Sequence, residues 1–275
     1  MPRKTPIPHM HVLYEAAVQS VEADVDFVDR LYRRHRGRSA RRLREDFCGT
    51  ASLSCEWARR RPDNVAWGVD LDRPTLAWGR ANRLVHLGAA ARRVHLVRDD
   101  VRNVGAPKID LAVAFNFSYS VFKRRAELRD YFSAVRKSMR PGGIFLVDAL
   151  GGQETMGELI ERRRILASKE RDGTRIPSFT YVWEQARFNA VNHDFLCHIH
   201  FHVANGKKMR RAFTYDWRLW TLPELQETML ETGFTSTEIY LDGWDEKEKE
   251  GDGIYRRRVR FENQASWVAY VVGLT

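Results

Sequence analysis

The chain has 275 residues, 43% of them hydrophobic, which suits one large core or a core with a substantial insertion. Formal net charge is +10, from 46 Lys and Arg against 36 Asp and Glu, and the positives are scattered as in Arg33–Arg34, Lys123–Arg125 and Arg256–Arg258. That spread favours an arginine-rich solvated surface over a nucleic-acid track. Three cysteines without paired spacing argue against a disulfide framework or zinc site, and no apolar run nears the ~18 residues of a membrane span. The opening MPRKTPIPHMH has no apolar run behind its basic residues, so no secretory signal and a reducing, cytoplasmic setting are expected.

Apolar positions at helical spacing from Tyr14 to Arg33 predict one helix. RRLREDF then leads into a helix around Ala51–Arg60. VAWGVDLD reads as a short buried strand, followed by a helix from Pro74 to about Leu87. RVHLVRDDV and DLAVAFNF are the next strands, then come a helix over Leu128–Met139, the turn RPGG and the strand IFLVDAL. Short apolar strands separated by helical crossovers predict an α/β fold with a doubly wound, mostly parallel sheet. Residues 154–170 read as a charged helix. FTYVWEQARFNA, DFLCHIHFHVA and MRRAFTYDWRLWT read as three long antiparallel strands. TLPELQETMLETGF returns to helix, with Thr221 as cap and Gly233 as stop. Two final strands, TEIYLD and SWVAYVVGL, flank a charged excursion over 243–264 whose composition predicts a mobile loop.

In open α/β sheets ligands sit at the carboxyl ends of the strands. Gly49 lies in the first such turn and lets a ligand approach the backbone. Asp70 closes the second strand, about 20 residues on, where a carboxylate meets a ribose diol. Asp99 and Asp100 close the third, where an adenine amino group could donate, and Asn116 closes the fourth. No Gly-Lys-Ser/Thr loop and no G-x-G-x-x-G is present, so ATP, NAD and FAD fit poorly. A ligand with ribose and adenine but no phosphate fits better, and S-adenosylmethionine is one.

The order EDFCGTA, GVDLD, VRDDV, DLAVAFNFSY, MRPGGIFLVD resembles the class I S-adenosylmethionine-dependent methyltransferases over residues 40–150. The resemblance implies a seven-stranded Rossmann-like sheet with S-adenosylmethionine as cofactor. Glu45 would face the methionine end, within a loop of Phe47, Cys48, Gly49 and Thr50. Asp70 would hold the ribose hydroxyls and Asp100 the adenine amino group, with Leu71 and Val101 flanking the ring. Phe47 and Ala51 stand where the family's loop has glycine, and their side chains should narrow the groove at the methionine end. Asn116 would flank that end of the cofactor, and Tyr119 would line the acceptor pocket.

The excursion between Gly152 and Trp220, followed by Arg218, Trp220, Thr221, Glu224 and Leu225, is similar to sugar and small-amine N-methyltransferases. The implied organisation is one methyltransferase domain over 1–275. It has a helical cap (1–40), a cofactor-binding core (41–150), an antiparallel substrate lid (151–221) and a return to the sheet (222–275). Tyr14 either closes the cofactor side, as in some relatives, or is a half-buried packing residue. His198, His200 and His202 share one strand face. A polar outward face is the first reading, with a general base or a metal site as alternatives. The expected function is methyl transfer to nitrogen or oxygen of a small-molecule acceptor, with Tyr119 or His200 as base if the acceptor is oxygen. Nucleic-acid or protein methylation, and a non-catalytic binding module, are the alternatives.

Overall fold

The computed structural model describes residues 7–275 except 104, 106, 172, 204–205, 246–249 and 252. In chain order, α1 (Met10–Val18) and α2 (Val21–Arg36) precede β1 (Arg42–Asp46), α3 (Ser52–Arg60), β2 (Val65–Asp70) and α4 (Arg73–Asn82). Then follow β3 (Val94–Arg98), β4 (Ile109–Ala114), α5 (Arg125–Ser138) and β5 (Met139–Gly151). Next are β6 (Leu159–Ile165), β7 (Ser168–Lys169), β8 (Arg175–Ile176), β9 (Phe179–Phe188), β10 (Asp194–His202) and β11 (Lys208–Arg218). Last come α6 (Leu222–Glu231), β12 (Ser236–Leu241), β13 (Trp244–Asp245), β14 (Glu250–Gly251), β15 (Arg256–Arg258) and β16 (Trp267–Leu274). These elements form two compact units, one of residues 1–20 with 156–219 and one of 21–155 with 220–275.

The larger unit is built on one sheet of order β15-β12-β16-β5-β4-β1-β2-β3. Strands β1 to β5 pair in parallel, and β16 runs antiparallel to both β5 and β12. Period-two alternation sends successive residues of β4 into different layers, since a strand's side chains point to opposite faces. Leu111 and Val113 join Val28, Leu31, Trp57 and Val272 on one side, with α2 and α3. Ala112 and Ala114 join Leu128, Phe132, Phe145 and Leu225 on the other, with α5 and α6. All six residues of β4 are buried, as a strand covered on both faces requires.

The sheet has eight strands rather than the expected seven, because the excursion supplies β15, paired on the outer side of β12 from Ile239 to Leu241. That part is ordered edge strand, while 246–249 and 252 lie outside the described residues. The predicted helix from Tyr14 to Arg33 is two helices separated at Gln19, which takes extended φ −96° and ψ 140°. The predicted helix after Pro74 ends at Asn82, and 310 turns follow, kinked at Gly88 with φ 56°.

The smaller unit holds an antiparallel sheet of order β11-β10-β9-β6. Its edge strand β6 falls where residues 154–170 read as a charged helix. Glu161, Arg162, Arg163 and Arg164 are good helix formers, yet Leu159 to Ile165 ladder against Gln185 to Phe179 of β9. The ladder outweighs the propensity, and the charged side chains suit an outer edge by discouraging further pairing. Helix α1 belongs to the same unit, with the Tyr14 ring 4.8 Å from that of Phe213 on β11.

Candidate cofactor and acceptor site

In the larger unit the parallel strands end side by side, and the order reverses between β1 and β4, which is where such sheets open a ligand crevice. The turn after β1 is the first wall. Its three positions laid over glycine by sequence, Phe47, Gly49 and Ala51, have φ of 57°, 53° and 60°. All are left-handed, a conformation that side chains other than glycine's resist. The loop therefore keeps a glycine-type backbone path while carrying a phenyl and a methyl group. The Phe47 ring packs 5.9 Å from Phe122 and 5.7 Å from Tyr131, against the core, and Ala51 is wholly buried. Neither side chain narrows the groove as the sequence suggested, because each finds its partners inward.

Gly49 donates its N–H to Asp70 Oδ2 at 2.8 Å, and Asp72 donates to Asp70 Oδ1 at 2.8 Å. Two backbone donors thus fix the Asp70 carboxylate at the end of β2, although burial raises its pKa. A Cβ built on Gly49 would meet only Thr75 Cγ2, at 3.8 Å, so the loop is open to a ligand at that point. Cys48 is buried, its N–H bonded to Val69 O at 2.9 Å, and burial holds its thiol well above the ordinary range. Thr50 is buried too, with Oγ1 3.1 Å from Ser52 Oγ.

Glu45 turns away from the opening. Its Oε2 accepts from Ser54 N at 2.8 Å and Ser54 Oγ at 2.6 Å, capping the first turn of α3, where Ala51 offers no side-chain cap. A carboxylate is well placed at that helix end, yet burial pushes its pKa to about 8. Asp100, after β3, is held by Arg102, with Nε–Oδ1 at 3.0 Å and Nη2–Oδ2 at 2.6 Å, and this bonding lowers its pKa. Leu71 is exposed, and Val101 is buried in the core.

Asn116 and Phe117, after β4, are left-handed at φ 58° and 56°. Their N–H groups converge on Asp148 of β5, at 2.7 Å to Oδ2 and 2.9 Å to Oδ1. In sequence the only signal for Asp148 is that it is the one acidic residue inside the apolar IFLVDAL. Tyr119 is 2% exposed and packs into the core near Phe132. Burial and the Asp148 charge keep its phenol protonated far above neutrality, which does not suit a base.

The remaining two expected residues lie in the smaller unit. Tyr14 is on α1. His200, on β10, has Nε2 2.8 Å from Glu184 Oε2 and accepts the Arg211 N–H at Nδ1, 3.0 Å away. Both ring nitrogens are engaged within the sheet, which does not suit proton abstraction. His198 is 4% exposed, with Nδ1 2.9 Å from Thr214 Oγ1, so the histidine face is not uniformly turned to solvent.

No protein-family model matches this chain, and no curated protein matches it in sequence. Solved structures do match. An S-adenosylmethionine-dependent methyltransferase from Clostridium acetobutylicum superposes with TM-score 0.67 at 18% identity, covering 96% of this chain and 97% of that one. The chain has the methyltransferase fold. CalS10, an amino pentose methyltransferase from Micromonospora echinaspora, gives 0.65 at 16% identity over 98% and 99% of the two chains. The sugar N-methyltransferase KedS8 from Streptoalloteichus gives 0.63 at 17% identity over 98% and 94%. Within the methyltransferase fold, the left-handed turn after β1 and the acids ending β2 and β3 occupy the carboxyl edge of the parallel strands.

Proposed function

We propose that this protein transfers a methyl group from S-adenosylmethionine to the amino nitrogen of a small, sugar-like acceptor. The observation that carries the reading is Asp70, held by the N–H groups of Gly49 and Asp72 at the end of β2, beside an open glycine turn. A carboxylate so fixed suits the two hydroxyls of a ribose, and no phosphate-binding loop competes for the site. Bound there, S-adenosylmethionine would supply an electrophilic methyl on its sulfonium, reactive enough for a neutral amine without further activation.

The side chains then have to bind, align and exclude water. Asp70 holds the ribose, Asp100 shares an oxygen with the adenine amino group, and the exposed Leu71 flanks that end, whereas Val101 is packed into the core and does not. Glu45 shapes the methionine end through α3 rather than by touching it, and Cys48 and Thr50 fill the floor of the loop. Asn116 flanks the methionine end of the cofactor. A neutral amine needs no base, which agrees with the buried phenol of Tyr119 and the engaged ring of His200. The loss of the extra proton from the methylated nitrogen goes to solvent. The fold likeness to an amino pentose and a sugar N-methyltransferase supports nitrogen over oxygen.

Calorimetry with S-adenosylhomocysteine is the first test, and absence of binding to the wild type sinks the reading. Transfer of a tritiated methyl to methyl glycosides of amino hexoses, set beside the matching hydroxyl sugars, tests the acceptor. Labelling of the hydroxyl sugars alone would overturn the choice of nitrogen.

A further inference from the structure

Among the described residues, Asn116 and Phe117 are the only adjacent non-glycine pair with positive φ. Asparagine tolerates the left-handed region, whereas phenylalanine resists it, so two in succession need an external hold. The hold is visible. Two successive N–H groups facing one anion form a backbone nest, and each Asp148 oxygen takes one of them. The turn is closed further by Ser118 Oγ donating to Phe115 O at 2.9 Å and Ser120 N donating to Phe117 O at 2.9 Å.

We propose that Asp148 is a positioning residue for the turn after β4, its ionised carboxylate keeping Asn116 and Phe117 left-handed and its protonation freeing one of the two N–H groups. The inference rests on the methyltransferase reading only in placing that turn beside the methionine end of the cofactor. A protonated carboxyl keeps one good acceptor oxygen and turns the other into a donor that accepts only weakly, so one of the two N–H groups loses most of its bond. The groups bearing on Asp148 are themselves acids. Asp24 comes from α2, Tyr270 from the opposite position on β16, Tyr119 from the turn itself and Tyr255 from the segment before β15. Tyr270 donates its hydroxyl to Asp24 Oδ1 at 2.7 Å. Burial, with the charge of Asp24 added, pushes Asp148 up to about 7, so the proton is gained and lost near neutrality.

The test is amide NMR of the 15N-labelled chain. In the wild type the Asn116 and Phe117 amide protons should move together, with one midpoint between about pH 6 and 8, as the carboxylate they face titrates. In Asp148→Asn that movement should vanish, and exchange of these two amides at high pH should quicken on the order of tenfold. Flat shifts in the wild type, or titration that survives in Asp148→Asn, would overturn the proposal. If the variant does not fold, the wild-type titration decides alone. Failure of the wild type to bind S-adenosylhomocysteine would remove the methyltransferase reading and leave this titration as informative as before.

Discussion

Phe47 and Ala51 hold left-handed backbone without the glycine that usually makes it cheap. Each costs about 1–2 kcal/mol, and inward packing of the two side chains is what offsets it. Ala51 has only a methyl to lose, so Ala51→Gly should stabilise the fold by about 0.5–1 kcal/mol after the extra entropy of glycine. Urea unfolding reads this, and a destabilised variant would show that the methyl matters more than the strain. Asp70 has the opposite balance. Asp70→Ala removes the proposed ribose acceptor and the partner of Gly49 N–H together, and charged hydrogen bonds contribute about 1.5–3 kcal/mol each. Affinity for S-adenosylhomocysteine should fall on the order of a hundredfold by calorimetry. An affinity unchanged by the substitution would place the ribose elsewhere.

Between elements, two contacts set the edge on which the site stands. Arg44 and Asp46 on β1 are both 1% exposed and paired, Nε–Oδ1 at 2.8 Å. Tyr131 of α5 donates to Asp46 at 2.8 Å, and Arg44 donates to Ser138 Oγ at 3.0 Å, so one buried ion pair ties the first strand to α5. Arg44→Ala should cost about 3–5 kcal/mol, because it strands a buried carboxylate, and urea melts measure it. The second contact is α4 against the turn after β1. A Cβ on Gly79 would lie 2.4 Å from Thr50 O. Gly79→Ala should therefore cost about 1–3 kcal/mol and also weaken S-adenosylhomocysteine, since the loop must move. A loss of stability with unchanged affinity would separate helix packing from loop position. The close approach that glycines give within many such loops comes here partly from the neighbouring helix.

Across the whole molecule, arginines pair with acids at several surface points, such as Arg61 with Asp29, Arg60 with Asp26 and Arg41 with Asp63, and such pairs, one charge of each sign, leave the net +10 unchanged. Titration within the larger unit has a defined sign. Burial raises Glu45 to about 8 and Asp148 to about 7, so the native state keeps protons that the unfolded chain has released. Stability from these groups is complete below the ordinary carboxylate range and is lost as pH rises through the raised values. His198 and His202 have lowered pKa values and act in the other sense below about 6.5, so the window to use is about pH 6.5 to 8.5. Unfolding free energy should fall with pH there, by at most about 1.4 kcal/mol per unit for each carboxyl, and Glu45→Gln should flatten the slope. A rise in stability across that window would contradict the assignment.

Local periodicity and spacing along the chain account for the parallel strands, their helices and the acids that end β2 and β3. Asp70 was legible for that reason, as was the antiparallel order of the strands from Phe179 to Arg218. Tertiary structure decided what local pattern cannot carry. A ladder offered by β9 made a strand of a segment rich in helix formers, and β12 drew part of a charged loop into the sheet as β15. Inward partners turned Phe47 and Glu45 away from the groove, and two N–H groups from β4's turn met a carboxylate 32 residues later in the chain. These depend on which surfaces the fold brings together, and no single segment contains that information.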